Sequence, residues 1–176
     1  FNLKSHSVYC QMFEGLVRLD SATKEVVPCL ATEWEQLDEV TWRFTLREGV
    51  KFHDGNTMTS ADVVCSFERI MSGMTSTYVD YIESVEADGD YAVIMHLKMP
   101  YAQIIQALTY PSAVIVSKAA VEQFGEEFAQ HPVGTGPYAF VSHMVADSVT
   151  MKAFDGYWGE RAKTENLIFK IIPEGA

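Results

Sequence analysis

The chain has 176 residues, 48% hydrophobic and 12% aromatic, with mean hydropathy near zero, which excludes a disordered tail and a coiled coil and supplies enough apolar side chains for a core. Thirteen Lys and Arg stand against 24 Asp and Glu, a formal charge of −11. That sign argues against nucleic acid or an anionic membrane as the main partner, because phosphate binding needs clustered cations. No apolar run approaches the ~20 residues of a membrane-spanning helix. The chain opens at Phe1 and closes on an apolar stretch, Ile171-Ile172-Pro173, so it reads as an excised piece of a longer protein.

Taken in order, Val8, Met12 and Phe13 fall at helical spacing within residues 5–14, and Gly15 ends that run. Leu16 to Leu19 is a short strand turning at Asp20 to Lys24. Thr41 to Leu46 alternates strictly, which sets Trp42, Phe44 and Leu46 on one face of a strand. Thr59-Ser60-Ala61-Asp62 opens a helix with a cap-and-acid start, and Val63, Val64, Phe67, Ile70 and Met71 form its apolar stripe. Ile82 to Ala87 and Tyr91 to Leu97 are strands joined at Asp88-Gly89-Asp90, a hairpin signal. Pro100 starts a helix through Leu108. Ala113 to Val116 reads as a buried strand and Lys118 to Phe124 as a short helix. After the Gly134-Thr135-Gly136-Pro137 turn, Tyr138 to Val141 and Ser148 to Phe154 form a second hairpin, and Leu167 to Ile172 is the last strand. Helices interspersed with hairpins give an α+β arrangement with mixed sheets.

A search for chemistry finds no GxSxG elbow, HExxH pair, Walker loop or EF-hand. Gly134-Thr135-Gly136 is a structural turn and not a phosphate cradle, since no Lys follows and Pro137 removes a donor. Both glycines are expected to supply backbone angles that other residues avoid. His53 braces the His53-Asp54-Gly55 turn. His96 lies on an alternating strand, with its side chain expected opposite to Ile94 and toward solvent. The adjacent carboxylates Asp38-Glu39 and Glu126-Glu127 point in different directions and belong to a solvated surface. Cys10, Cys29 and Cys65 lack CxxC spacing; Cys10 and Cys65 sit among apolar neighbours and read as buried free thiols, with one disulfide as the alternative in an exported protein. No metal, no cofactor and no catalytic residue is expected.

The segments that carry most information are Phe13-Glu14-Gly15-Leu16-Val17, Pro28-Cys29-Leu30-Ala31-Thr32-Glu33-Trp34, the stretch from Thr41-Trp42-Arg43-Phe44 to His53-Asp54-Gly55, and Thr59-Ser60-Ala61-Asp62-Val63. Pro132-Val133-Gly134-Thr135-Gly136-Pro137-Tyr138, Tyr157-Trp158-Gly159 and Phe169-Lys170-Ile171-Ile172-Pro173 follow in order. Trp34, Trp42, Phe44 and Phe52 are expected to form an aromatic core, and Tyr157-Trp158-Gly159 a helix-to-turn plug. Together these segments resemble the bacterial extracellular solute-binding proteins of family 5, which serve peptide, nickel and related ABC importers.

That resemblance implies part of lobe I of a two-lobed clamshell, the type II-like periplasmic-binding-protein fold, including its inserted subdomain. Residues 1–27 and 133–176 would form an incomplete lobe I core and residues 28–132 the insertion, with lobe II and the first core strand outside the chain. The implied function is capture of a small solute, foremost a di- or oligopeptide, for delivery to a membrane permease, without catalysis and outside the cytoplasm, in the periplasm or as a cell-surface lipoprotein. A nickel-chelate or other small-solute receptor, or a sensory binding module, are the alternatives. By position, the ligand would be approached by Phe1 and His6, by Tyr78, and by the loop holding Tyr110 and Ser112. Tyrosines suit this, pairing contact area with a hydroxyl. Ser112 stands where the nickel-binding branch offers an arginine to a chelate's carboxylates.

Overall fold

A computed structural model describes residues 6–73, 80–145 and 147–170. The elements are α1 (His6–Met12), β1 (Val17–Leu19), β2 (Val26–Pro28), β3 (Ala31–Asp38), β4 (Thr41–Leu46), α2 (Ser60–Ser72), β5 (Ile82–Ala87) and β6 (Ala92–Leu97). Then follow α3 (Ile104–Ala107), a 3-10 turn (Pro111–Ala113), α4 (Lys118–Phe124), a second 3-10 segment (Gly125–Gln130), β7 (Tyr138–Met144), β8 (Ser148–Ala153) and β9 (Asn166–Lys170). The strands make three sheets, ordered β1-β2, β3-β4-β6-β5 and β7-β8-β9. Every pairing of these strands is antiparallel, so the α+β mixture lies between sheets and helices and not inside a sheet.

Two cores organise the molecule. In the first, the inner face of the four-stranded sheet (Phe44, Leu46, Val85, Val93, Met95, Leu97) closes against Val63 and Phe67 of α2. Phe44 and Phe52 are fully buried, whereas Trp34 and Trp42 pack from the edges, half-buried. In the second, Val8, Met12 and Phe13 pack on Tyr138, Val149 and Met151 of the three-stranded sheet. The apolar run 113–116 divides the two. Ala113 and Ile115 enter the first core while Val114 and Val116 enter the second, as the period of two in an extended chain demands.

That run is buried as expected but is not a strand. Ala113 ends the 3-10 turn, and Val114 makes only an isolated bridge to Gly15. The backbone is satisfied piecemeal: Ile115 N–H bonds Glu14 O (2.9 Å), Val116 N–H bonds Ser66 Oγ (2.9 Å) and Ser117 N–H reaches Val133 O (3.4 Å). Buried amides need partners, and here three elements supply them instead of a ladder.

The start of α2 follows its sequence signature. The Asp62 carboxylate accepts from Thr59 N–H at 2.9 Å through one oxygen and from Lys118 N–H at 2.9 Å through the other, so one side chain serves the first turns of both α2 and α4. Ser117 caps α4, accepting from Ala120 N–H (3.2 Å) and donating to Asp54 Oδ2 (2.7 Å).

Other expectations need correction. The helix expected from Pro100 is regular only over Ile104–Ala107. Tyr101 is stacked on Tyr81 with ring centroids 4.0 Å apart, and Ile104 N–H bonds Tyr101 O three residues back, so the α-turn begins late. β3 was not expected: Glu33, Glu35 and Asp38 disguise a strand whose outer positions face water. His96 shares the half-exposed face with Ile94, since residues two apart on a strand point the same way. Cys10 is exposed and Cys65 half-buried, on the outer sides of α1 and α2; Cys29 is the buried thiol. Around Tyr157-Trp158-Gly159 there are turns and bends and no helix.

Candidate functional site

The end of α1, the 134–136 turn and the 157–158 bend converge on one half-buried carboxylate. Glu14 Oε1 accepts from Tyr157 Oη (2.8 Å), and its Oε2 accepts from Trp158 Nε1 (2.8 Å) and Thr135 Oγ1 (2.9 Å). Burial pushes the Glu14 carboxyl above its ordinary value, against the pull of the Trp158, Tyr157 and Thr135 donors and of Arg18. Burial, reinforced by Glu14, likewise pushes the Tyr157 phenol up. Trp158 also lies under Arg47, whose Cζ is 4.2 Å from the ring centroid.

His53 clamps the same turn from the first core. Its Nε2 lies 2.9 Å from Gly136 O, and Gly134 N–H approaches its Nδ1 at 3.3 Å, while His53 N–H bonds Gly134 O (3.0 Å). One ring nitrogen must donate and the other accept, which fixes a neutral imidazole protonated on Nε2. Burial pushes its pKa down, only partly opposed by the Gly136 carbonyl and Asp54. His53 therefore braces more than its own turn. Gly134 and Gly136 are not needed for positive φ, which occurs instead at Gly49, Gly55, Gly89 and Gly125. They are needed for close approach: a Cβ on Gly134 would collide with the Met12 carbonyl and sit 2.7 Å from the Phe13 ring. With its hydrogen bonds spent on Tyr157, Trp158 and Thr135, Glu14 holds the fold together, as His53 does through Gly134 and Gly136.

Two cavities open beside this junction. One, of about 350 Å³, is lined by Tyr9, Cys10, Glu14, Arg18, Tyr110 and Tyr157. The other, of about 400 Å³, is lined by residues that include Tyr9, Arg69, Ser112, Val116 and Phe128. Tyr9, Phe13 and Val114 border both, with the Tyr9 and Phe13 rings 4.8 Å apart. Burial pushes the Tyr9 phenol up to about 12, against the opposing charge of Arg69.

Of the five candidate ligand residues, Phe1 and Tyr78 lie outside the described residues, and His6 is the first residue of α1. Tyr110, 44% exposed, precedes the 3-10 turn and borders the first cavity. Ser112 borders the second, its Oγ buried with no hydrogen-bond partner among the described residues. The structure thus places two residues of one loop on different cavities. Sequence reasoning missed Glu14, Tyr9, Arg69 and Phe128. An acid inside the apolar run Phe13 to Val17 was a signal for Glu14; nothing local marked the others. Among the described residues, no group of three or more His, Cys, Asp or Glu side chains could hold a metal, and no helix is long and apolar enough to cross a membrane.

Comparison with known proteins gives this geometry a context. The profile of the bacterial extracellular solute-binding proteins, family 5 Middle, matches residues 25–176. The glutathione-binding protein GsiB of Pectobacterium atrosepticum is 36% identical over 160 residues, covering 88% of this chain and 31% of that protein. The HTH-type transcriptional regulator SgrR of Shigella dysenteriae is 31% identical over 164 residues, covering 93% of this chain and 29% of the regulator. The periplasmic binding protein DppA of Helicobacter pylori, solved with the peptide STSA, superposes with a TM-score of 0.84 at 28% identity, over 93% of this chain and 37% of its own. The chain spans about a third of the length of these relatives. Its α+β architecture is that of the type II-like periplasmic binding proteins, and the chain belongs to the bacterial extracellular solute-binding proteins of family 5.

Proposed function

We propose that the protein is the substrate-binding component of an ABC importer, capturing a small solute, foremost a di- or oligopeptide, outside the cytoplasm and passing it to a membrane permease. The observation that carries this reading is the family match, unbroken from residue 25 to residue 176. A peptide is taken first on the names of GsiB, for glutathione, and DppA, solved with the peptide STSA; NikZ of Campylobacter jejuni, solved with Ni(L-His), supports a metal chelate as the alternative. In this reading residues 1–27 and 133–176 belong to the core of lobe I, and residues 28–132 are its inserted subdomain. The ligand meets the face bearing Phe1, His6, Tyr78, Tyr110 and Ser112, and closure comes from a second lobe that hinges onto it. The protein carries its ligand unchanged and is not an enzyme.

Native mass spectrometry of the full-length protein purified from its own host tests this. A ladder of bound masses spaced by amino-acid residues is expected. A single discrete mass, or the isotope pattern of a metal, moves the assignment to a chelate or another defined solute. A second reading, a sensory module, is favoured by the likeness to SgrR. Attachment of this region to a DNA-binding domain, with no permease partner, would replace delivery by signalling while leaving solute capture in place.

A further inference from the structure

We propose that the cavity between α1, α2 and the Pro111–Ala113 turn is a subsite for an apolar group that carries a carboxylate, such as the last residue of a peptide with an aromatic or branched side chain. Its walls are Tyr9, Phe13, Val114, Val116 and Phe128, and its volume of about 400 Å³ accommodates one such residue. In a chain of charge −11, the one charged residue lining this cavity among those described is Arg69, and no acid borders it.

Two observations assign the polar end. The Arg69 guanidinium carbon lies 4.6 Å from the Phe128 ring centroid, so the ring holds the planar group on the cavity wall. The ion pairs among the described residues engage Arg43, Lys118, Lys152, Arg161 and Lys163, and none engages Arg69. A planar fork without a carboxylate is suited to bidentate capture of one from a ligand. Ser112 Oγ, without a hydrogen-bond partner among the described residues, has no surface open to the cavity and is not counted toward the ligand. The Ser66 hydroxyl on the same wall donates to Asp62 O (2.7 Å) and accepts from Val116 N–H (2.9 Å), so it is spent on the fold and the polar end falls to Arg69.

The inference rests on the receptor reading for its peptide ligand but not for its chemistry. The test titrates N-acetyl-phenylalanine into the protein, followed calorimetrically, beside N-acetyl-phenylalaninamide and sodium acetate. The acid is expected to bind about tenfold more tightly than the amide, and acetate not at all. Arg69→Gln should abolish the preference for the acid, and Arg69→Lys should retain part of it. Arg69 is exposed in the last turn of α2, so an unchanged unfolding midpoint will show that the variants fold. Equal affinity for acid and amide, no binding of either, or discrimination that survives Arg69→Gln overturns the subsite. If a peptide still accompanies the full-length protein in that case, the subsite alone has failed and the receptor reading stands.

Discussion

In the four-stranded sheet and α2, the side chains that hold the structure are apolar; the outer pairings β3-β4 and β5-β6 are local hairpins, and the central β4-β6 pairing joins them through backbone ladder and burial, as at Phe44 opposite Val93. At the junction of α1 with the 134–136 turn, the decisive contacts join residues 81 to 144 positions apart and run through ionisable groups. The sheet is stabilised by burial, which is non-directional and tolerates small shifts. The junction is stabilised by hydrogen bonds to buried groups, where losing one partner strands another. The first region should therefore respond to volume, and the second to geometry and pH.

The largest effect is expected in the first region. Phe44→Ala, deleting a fully buried ring, should cost about 3–5 kcal/mol, read as a lowered urea midpoint at an unchanged slope. A smaller loss would mean that the sheet and α2 close over the gap. Gly134→Ala should cost about 3 kcal/mol, the upper end for overpacking, because the added methyl meets the backbone of Met12, which cannot rotate away. Glu14→Gln should cost about 2 kcal/mol, because its amide NH₂ replaces one acceptor facing the Tyr157, Trp158 and Thr135 donors.

The two ionisable groups of the junction should act with opposite signs. Glu14 is pushed up, so as pH falls through its raised value the native state takes a proton before the unfolded chain does, and stability rises. His53 is pushed down, so below its ordinary 6.5 the unfolded chain is protonated first, and stability falls until the pH passes below the depressed native value. The fall near neutrality should reach at most about 1.4 kcal/mol per pH unit and should vanish in His53→Gln. Unfolding midpoints measured between pH 7 and pH 4 for wild type and both variants check the pair. A His53→Gln curve parallel to wild type would contradict the neutral imidazole held between Gly134 and Gly136. The smallest effect belongs to the sheet surface. Asp88→Asn, which breaks the exposed pair with Arg43 Nε (2.8 Å), should change stability by less than about 1 kcal/mol.

The contrast also marks how far sequence reasoning reached. Alternation in Thr41 to Leu46, the capped start at Thr59 and the glycine turn at Gly89 are read over a few residues, and those elements stand where they were expected. β3 escaped because its outward positions are acidic and dilute the β-branched pattern. The 113–116 run showed its burial but not its pairing, because four apolar residues in a row mean two buried faces without saying what lies on each. Of the candidate site, position along the chain suggested the loop of Tyr110 and Ser112, while Arg69 and Phe128 came together only through the packing of α2 against the second 3-10 segment.

By itself the sequence determined the α+β class, most of the elements, the hairpin connections and the family, because each is written in local periodicity, turn chemistry or an ordered set of short segments. Only the tertiary structure decided that Glu14 and His53 are anchors, that Gly134 is required for contact and not for its φ, and that the Arg69 guanidinium, in no ion pair among the described residues, borders an apolar cavity. Those outcomes depend on which distant residues share a desolvated space, where a charge or hydroxyl without a partner is costly, and periodicity carries no information about that.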